Sequence, residues 1–149
     1  MFYASGEKYE GFWRNGFKNG KGKKLYANND TYDGDYKMGR KHGKGRFKFH
    51  KSGNVYEGDL YDGKAQGNGT FVWTKGGNVY EGEWFNDRMQ GRGKKTWLNG
   101  DRYVGSWLNG SMHGYGTMIY AASGVKYEGM LLINHSSPRL QIDLRTESN

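Results

Sequence analysis

The chain lacks cysteine, has a single proline and contains no long apolar segment. Without cysteine it can form neither disulfides nor thiolate metal sites, and this absence favours a reducing compartment. No run of 18 apolar residues occurs and no apolar segment follows a basic start, so the sequence predicts neither a transmembrane helix nor a secretory signal. These absences lead us to expect a cytoplasmic protein.

Leucine, isoleucine, valine and phenylalanine are scarce as well. Leu, Ile, Val and Phe together number 23 in a chain of 149 residues, which is below the roughly 20% at which charged chains usually fail to fold. Composition alone therefore predicts disorder. The 12 tyrosines, 7 phenylalanines and 5 tryptophans argue against it, because rings bury large areas at a low cost in entropy and recur here in register with the glycines.

The tripeptide Tyr-x-Gly recurs six times at a spacing of 23 or 24 residues. Its copies begin at Tyr9, Tyr32, Tyr56, Tyr80, Tyr103 and Tyr127. A period this short and this regular indicates one supersecondary unit stacked on copies of itself. The sequence therefore predicts a repeat array over residues 1–131, with a half-unit at 1–8, units that start at 9, 32, 56, 80 and 103, and a partial unit at 127.

Two turn signals follow each complete Tyr-x-Gly. The first is Asn-Gly or a related pair, as in Asn15-Gly16 and Asn109-Gly110, which supplies the positive φ angles of a tight hairpin. The second is Gly-x-Gly, four residues later. The runs between turns are five to seven residues long, which suits strands and is too short for helices. We therefore predict an all-β fold, an elongated single-layer antiparallel meander of stacked β-hairpin repeats.

Alternation along the strands then predicts two different faces. One face receives a continuous row of rings and both glycines of each Gly-x-Gly, and we call it the aromatic face. The other face carries the acids and bases. Folding each hairpin about its turn should place Asp33 and Asp35 near Arg46 and Lys44, and should place Glu10 near Lys23. The same folding brings Glu81 and Glu83 near Lys94 and Arg92.

The pattern resembles the MORN (membrane occupation and recognition nexus) family, whose unit reads approximately Tyr-Glu-Gly-x-Trp-x-x-Gly-x-x-x-Gly-x-Gly. The segment 103–116 fits it closely, and 80–93 departs mainly where Asp87 replaces a glycine. Leu60 and Leu131 stand where the unit has a strand aromatic. The turn 40–45 looks like that of radial spoke head members. The resemblance covers roughly residues 2–131.

The resemblance implies scaffolding, linkage of membrane to cytoskeleton, ciliary complexes and recognition of protein segments. It also implies dimerisation through terminal repeats, and some members accompany catalytic domains in lipid kinases and lysine methyltransferases. Beyond the array, Leu140, Ile142 and Leu144 alternate with polar residues, so we predict a terminal capping strand and a frayed tail over 132–149.

The residues give no sign of catalysis or of a cofactor. Gly-x-Gly never precedes a predicted helix or a Gly-Lys-Ser/Thr ending, which phosphate-binding loops and dinucleotide-binding sites require. The sequence therefore predicts neither kind of site. The histidines have no cluster of acids or cysteines beside them, so no metal site is predicted. No positioned nucleophile can be argued either. We expect a protein that is not an enzyme and that needs no cofactor.

Two surfaces could bind a partner. In a twisted single layer, the aromatic face becomes a shallow groove for protein segments. Its predicted binding residues are Tyr32, Tyr36, Phe49, Trp73, Tyr80, Trp84, Trp97, Tyr103, Trp107 and Tyr120. Of these, we expect Trp107 to behave more as an exposed rim ring than Trp84, because its unit lies nearer the end of the array. Most of the ring area should be structural.

The second surface is the edge of the sheet at the hairpin turns. Bases without obvious acidic partners lie at successive turns and could meet anionic phospholipid head groups at around 1 kcal/mol per charge. They are Lys18, Lys37, Arg40, Lys41, Lys64 and Arg88. Ordinary solubilising charge is the alternative. Nucleic acid is not predicted, because these bases lie away from the rings instead of interleaving with them.

The favoured function is a non-enzymatic scaffold that presents its aromatic face to protein partners in cytoskeletal or ciliary complexes. The first alternative is a module that contacts anionic phospholipid at the cytoplasmic membrane face. The second is the accessory region of a larger enzyme of the lipid kinase or lysine methyltransferase type. The start in mid-repeat keeps this last alternative open, and the formal net charge of +8 is compatible with each of them.

Overall fold

A computed structural model describes residues 1–131, which form eleven β-strands in a single antiparallel sheet. The strands follow one another across the sheet in chain order. They are β1 (Lys8–Arg14), β2 (Phe17–Leu25), β3 (Thr31–Lys37), β4 (Arg40–Lys48), β5 (Val55–Tyr61), β6 (Lys64–Trp73), β7 (Asn78–Phe85), β8 (Arg88–Thr96), β9 (Arg102–Leu108), β10 (Ser111–Ile119) and β11 (Lys126–Leu131). The predicted all-β meander is confirmed. The predicted capping strand over 132–149 lies outside the described residues.

Each hairpin closes through a two-residue turn in which both residues have positive φ. Asn15 and Gly16 have φ of 50° and 78°, and Asn109 and Gly110 have φ of 49° and 83°. These are the angles that the Asn-Gly pairs predict, since asparagine and glycine tolerate this region best. Met38 (φ 48°) adopts it without a side chain suited to it, and Asp87 (φ 64°) adopts it where the other four turns have glycine. No helix that could span a membrane occurs in the described part of the chain.

The hairpins are held tightly together where two glycines face each other across the strands. In the fourth unit, Gly82 pairs with Gly93, and the Tyr80 ring lies over the pair. A Cβ on Gly93 would overlap that ring, so this position requires glycine. The Tyr80 hydroxyl donates a hydrogen bond to the Glu83 carbonyl at 2.8 Å. The equivalent tyrosines of the other four hairpins repeat this hydroxyl-to-carbonyl bond.

Within each of the five Tyr-x-Gly hairpins, a bulge follows the glycine pair, and it corrects one sequence prediction. In the second unit Gly34 pairs with Gly45 and Tyr36 with Lys41, so Asp35 alone faces three residues of β4. Its carboxylate accepts a hydrogen bond from the Lys44 amide at 2.9 Å. A Cβ on Gly43 would lie 2.8 Å from that carboxylate. The first glycine of Gly-x-Gly therefore belongs to the acidic face, because the bulge breaks the alternation that predicted it on the aromatic face.

Most ion pairs on the acidic face join neighbouring hairpins instead of crossing one hairpin. Asp33 meets Lys23 at 3.3 Å and Asp35 meets Lys21 at 2.6 Å, both on the preceding strand. Arg46–Glu57 and Lys44–Asp59 repeat this arrangement. Of the predicted pairs within a hairpin, Glu81–Lys94 forms, at 2.6 Å. Glu10 pairs with Lys8 at 3.6 Å and not with Lys23. A strand in the middle of the sheet pairs with a strand on each side. The sequence prediction considered only the partner within the same hairpin, so it missed the ion pairs to the preceding hairpin.

Both edges of the array carry further hydrogen bonds between units. At the hairpin turns, the Gly63 amide donates to the Lys41 carbonyl at 2.8 Å, and the equivalent bond recurs at the other junctions between turns. At the opposite edge, a side-chain oxygen in one loop accepts the backbone amide of the next loop. The pairs are His50 to Asp30, Thr74 to Asn54, Leu98 to Asn78 and Ala121 to Asp101, at 2.7 to 3.2 Å.

Candidate functional site

The aromatic face is built in two layers. In the inner layer, the Tyr-x-Gly tyrosine makes an edge-to-face contact with the ring four positions later in every hairpin but the third, where that residue is Leu60. The Trp84 ring centroid lies 5.3 Å from those of both Tyr56 and Tyr80, and Trp107 lies 5.1 Å from Tyr80 and 5.5 Å from Tyr103. Such contacts stabilise beyond area burial alone. This layer is the core that the scarce aliphatic residues do not provide.

Six of the ten predicted binding residues belong to this buried layer. They are Tyr32, Tyr36, Tyr80, Trp84, Tyr103 and Trp107. Trp107 is 4% exposed and Trp84 is 9% exposed, so the expectation that Trp107 is a rim ring is wrong. Its unit lies near the end of the described array, but β10 and β11 still cover it on that side. Both indoles also donate a hydrogen bond to a glycine carbonyl, at 3.1 and 3.2 Å.

The other four, Phe49, Trp73, Trp97 and Tyr120, are at least partly exposed. Three of them lie in a second line of rings on the later halves of the long strands and in the loops that follow. This outer row consists of Tyr26, Phe47, Phe49, Phe71, Trp73 and Trp97. From Tyr26 to Trp73 its neighbouring centroids are 4.5 to 6.0 Å apart in tilted stacks. Tyr120 stands apart, against Tyr127 at 5.9 Å.

Three lysines lie among these rings, and two of them correct the prediction of a turn-edge stripe. The Lys18 Nζ is 5.1 Å from the Tyr9 centroid, and the Lys41 Nζ is 4.6 Å from the Phe47 centroid. Lys95 stands over Trp73 and Trp97 at 4.9 and 5.4 Å. Burial is the main cause that lowers the pKa of all three lysines. Lys18 and Lys41 pair with the residue of the aromatic layer across the strand, so they face the rings and not the outer edge.

The edge itself holds fewer free bases than predicted. The Arg40 guanidinium contacts both oxygens of Asp62 in the next turn, at 2.5 and 2.6 Å, and this contact raises the Arg40 pKa. Lys37, Lys64 and Arg88 are exposed and have no carboxylate within 4 Å among residues 1–131. Two of them stand opposite exposed rings, Lys64 beside Tyr61 and Arg88 beside Phe85. Sequence reasoning did not single out these rings.

Within residues 1–131, no three His, Asp or Glu side chains lie together so as to hold a metal ion. The described surface offers contact chemistry: half-exposed rings, lysines set among them, and a separate edge of bases and rings. A partner can be bound there through apolar area, cation–π contacts and ion pairs.

Comparison with protein families gives a match. A family model described as MORN repeat matches five consecutive segments, residues 9–31, 32–53, 56–78, 80–102 and 103–125. Each segment begins at the tyrosine whose ring covers the glycine pair. The matched segments start where the sequence predicts its complete units to start. No curated protein matches the chain.

Proposed function

Because the chain belongs to the MORN repeat family, we propose that it is a non-enzymatic scaffold that binds segments of partner proteins on its aromatic face. The observation that carries this proposal is the outer row. Its rings pack against the buried layer and stay partly exposed, and from Tyr26 to Trp73 they contact one another in sequence. Lysines lie over some of these rings, Lys41 over Phe47 and Lys95 over Trp73 and Trp97. Contiguous exposed apolar surface on a soluble domain commonly marks an interaction site.

The composition of the outer row supports a protein partner. Tryptophan, tyrosine and phenylalanine are enriched where binding energy concentrates, and such residues cluster near the middle of an interface. The outer row runs from β2 to the loop after β8, which spans seven strands. At about 4.8 Å between strands this is roughly 30 Å. An extended or helical segment of a partner can lie along it.

Site-specific photo-crosslinking tests this proposal. A benzophenone amino acid placed at Phe49 or Trp73 should capture a partner from cell extract. The same probe at Phe85, an exposed ring on the opposite face, is the matched control. We expect a discrete crosslinked protein from the first two positions that is missing from the third. Equal products from all three positions, or none from any, would contradict the proposal.

A specific observation favours a second candidate function, contact with an anionic membrane. Along the turn edge, Tyr61 and Phe85 alternate with Lys64 and Arg88 on exposed cross-strand positions. Rings and bases together suit the head-group region of a bilayer. The candidate is weakened by Arg40, which is paired, and by Lys18 and Lys41, which face the rings.

Sedimentation with anionic vesicles tests this second candidate. Lys64→Glu/Arg88→Glu should reduce binding, and raised salt should reduce it further, since surface charges are screened. Lys18→Gln is the control, because that ammonium lies among the rings. If the native chain does not sediment with vesicles at low salt, the membrane function is excluded.

A further inference from the structure

The third hairpin breaks the pattern of the aromatic face at two paired positions. In the fourth and fifth hairpins the inner tryptophan stands opposite a methionine, Trp84 with Met89 and Trp107 with Met112. In the third, Leu60 stands opposite Ala65. Both residues of this pair are smaller than their counterparts, and both are buried. The loss of volume on both strands leaves a space in the middle of the face.

This space is a pocket of about 270 Å³. Its floor is Leu60 and Ala65, and its walls include Tyr56, Phe49, Phe71 and Trp84. The Phe71 centroid lies 6.1 Å from Trp84 and 6.0 Å from Phe49. Small-molecule sites usually measure roughly 300–1,000 Å³, so the pocket suits one large side chain better than a cofactor. It opens next to the outer row, from which a partner would enter.

Two charged residues also line the pocket, and one of them is already engaged. Asp87 accepts a hydrogen bond from the Ala65 amide at 2.8 Å and donates its own amide to the Ala65 carbonyl at 3.1 Å. Lys41 is half-buried over the Phe47 ring, with no carboxylate within 4 Å among residues 1–131. Asp87 keeps its negative charge, but its carboxylate is held by the backbone of β6, whereas the Lys41 ammonium lies against the Phe47 ring without an ion-pair partner in the described part of the chain. A ligand carboxylate can pair with this ammonium, while a ligand ammonium would have to compete with it for the same rings.

We propose that this pocket selects the partner segment by taking one bulky apolar side chain while an adjacent acidic residue of the segment pairs with Lys41. This inference rests on the proposed function, because it names the chemistry of the segment that the aromatic face binds. Lys18 and Lys95 lie among the rings of the same face, in the first and fourth hairpins, and favour the same acidic character in residues of the segment farther from the pocket. The half-buried setting makes a charge-assisted contact stronger than one at the surface.

Titration of three matched fragments tests the pocket on the full chain. The probes are 4-phenylbutyrate, 4-phenylbutyramide and 4-phenylbutylamine, which share the ring and differ in charge. Nuclear magnetic resonance should show shifts of the Ala65 methyl and of the Trp84 indole N–H. We expect the carboxylate to bind about tenfold more tightly than the amide, and the amine to cause no shift. In Lys41→Gln the carboxylate and the amide should bind equally.

A second test fills the pocket with larger side chains. Ala65→Met and Leu60→Trp install the residues that the fourth hairpin has at these positions, and each should abolish the fragment shifts. Met112→Leu changes the equivalent residue of the fifth hairpin and is the control. This variant should bind the fragments as tightly as the native chain does. Thermal unfolding confirms that each variant is folded. Equal binding of amine and carboxylate to the native chain, or full binding to folded Ala65→Met, would overturn the inference.

The two proposals fail in different ways. Photo-crosslinking of a partner at Phe49 or Trp73 without any fragment preference for the carboxylate contradicts the pocket inference alone. Carboxylate binding in the pocket without a crosslinked partner contradicts the scaffold function and supports a site for small acidic ligands.

Discussion

The tyrosine of each Tyr-x-Gly contributes through both its ring and its hydroxyl. The ring of Tyr80 covers the Gly82–Gly93 pair, and its hydroxyl donates to the bulge carbonyl. Sequence alternation was enough to place these tyrosines on the core face. It could not reveal the hydroxyl bond, because the acceptor is a backbone carbonyl that a bulge turns towards the ring. The same bulge explains why Gly43 was placed on the wrong face.

Alkaline solution should unfold the array through these tyrosines. Burial raises the pKa of Tyr80 to about 12 and raises those of Tyr32, Tyr36 and Tyr56 as well. A raised pKa in the folded state means that the stabilisation is complete below the unfolded value of about 10 and is lost as the pH rises towards 12. Urea unfolding at pH 7 to 11.5 should show a free energy of unfolding that is level up to about pH 9 and falls steeply above pH 10. Tyr80→Phe should have a shallower fall, and a flat profile would contradict the assignment.

Met38 offers a second test at the residue scale. Its φ of 48° is unfavourable for a side chain without a local polar group, and the side chain is 70% exposed. Met38→Asn should therefore raise the free energy of unfolding by about 1 kcal/mol, since this conformation costs roughly 1–2 kcal/mol in ordinary residues. Asp87→Gly is the comparison. It relieves a similar φ but removes the bond from the Ala65 amide, so urea unfolding should show a smaller gain or a loss.

At the scale of the hairpin, the turns were predictable and the connections between hairpins were not. Asn-Gly and Asp-Gly pairs predict a hairpin turn because these residues themselves favour the positive φ angles that the turn requires. Asp30, Asn54, Asn78 and Asp101 could be interpreted from sequence as turn residues that close each unit. The structure adds that each accepts an amide from the next loop, about 20 residues along the chain. The residues around each acceptor do not indicate which distant amide donates to it. Ion pairs such as Lys23–Asp33 and Lys21–Asp35 were missed for the same reason, although Glu81–Lys94 was predicted correctly.

Removing one of these acceptors should weaken the junction between two units. Asp101→Ala leaves the Ala121 amide without its 2.8 Å acceptor, and the expected loss is about 1 kcal/mol in the free energy of unfolding. Asp101→Asn keeps an oxygen at the same place and should cost much less. Hydrogen exchange of the Ala121 amide gives a local measurement. Equal protection of that amide in Asp101→Ala and in the native chain would show that the bond contributes nothing.

For the molecule as a whole, every strand of the sheet pairs with its neighbours in chain order. Stability should then be a sum over units and junctions. Truncation after residue 100, at the loop between β8 and β9, should leave a folded eight-strand array. Its free energy of unfolding should fall less steeply with urea concentration, because a shorter array exposes less surface when it unfolds. Circular dichroism and urea unfolding would show this. Complete loss of strand signal would mean that the units depend on one another beyond their neighbours.

The layout of the aromatic face was only partly predictable at this scale. Sequence periodicity identified the side of the sheet that carries the rings. It could not separate the buried Trp107 from the exposed Phe49, because exposure depends on where a ring lies along the strand and on what the next hairpin places over it. It also missed the paired change to Leu60 and Ala65, whose effect appears only when the two strands are in register.

The central claim is that the inner rings hold the array together and the outer rings bind the partner, and a comparison of Trp84→Ala with Trp73→Ala tests it most directly. Free energies of unfolding and affinity for the crosslinked partner are measured on both. Trp84→Ala should cost about 3–5 kcal/mol of stability, as buried rings do. Trp73→Ala should cost about 1 kcal/mol of stability or less and about 2 kcal/mol or more of partner affinity. Full partner affinity in a stably folded Trp73→Ala protein would contradict the claim.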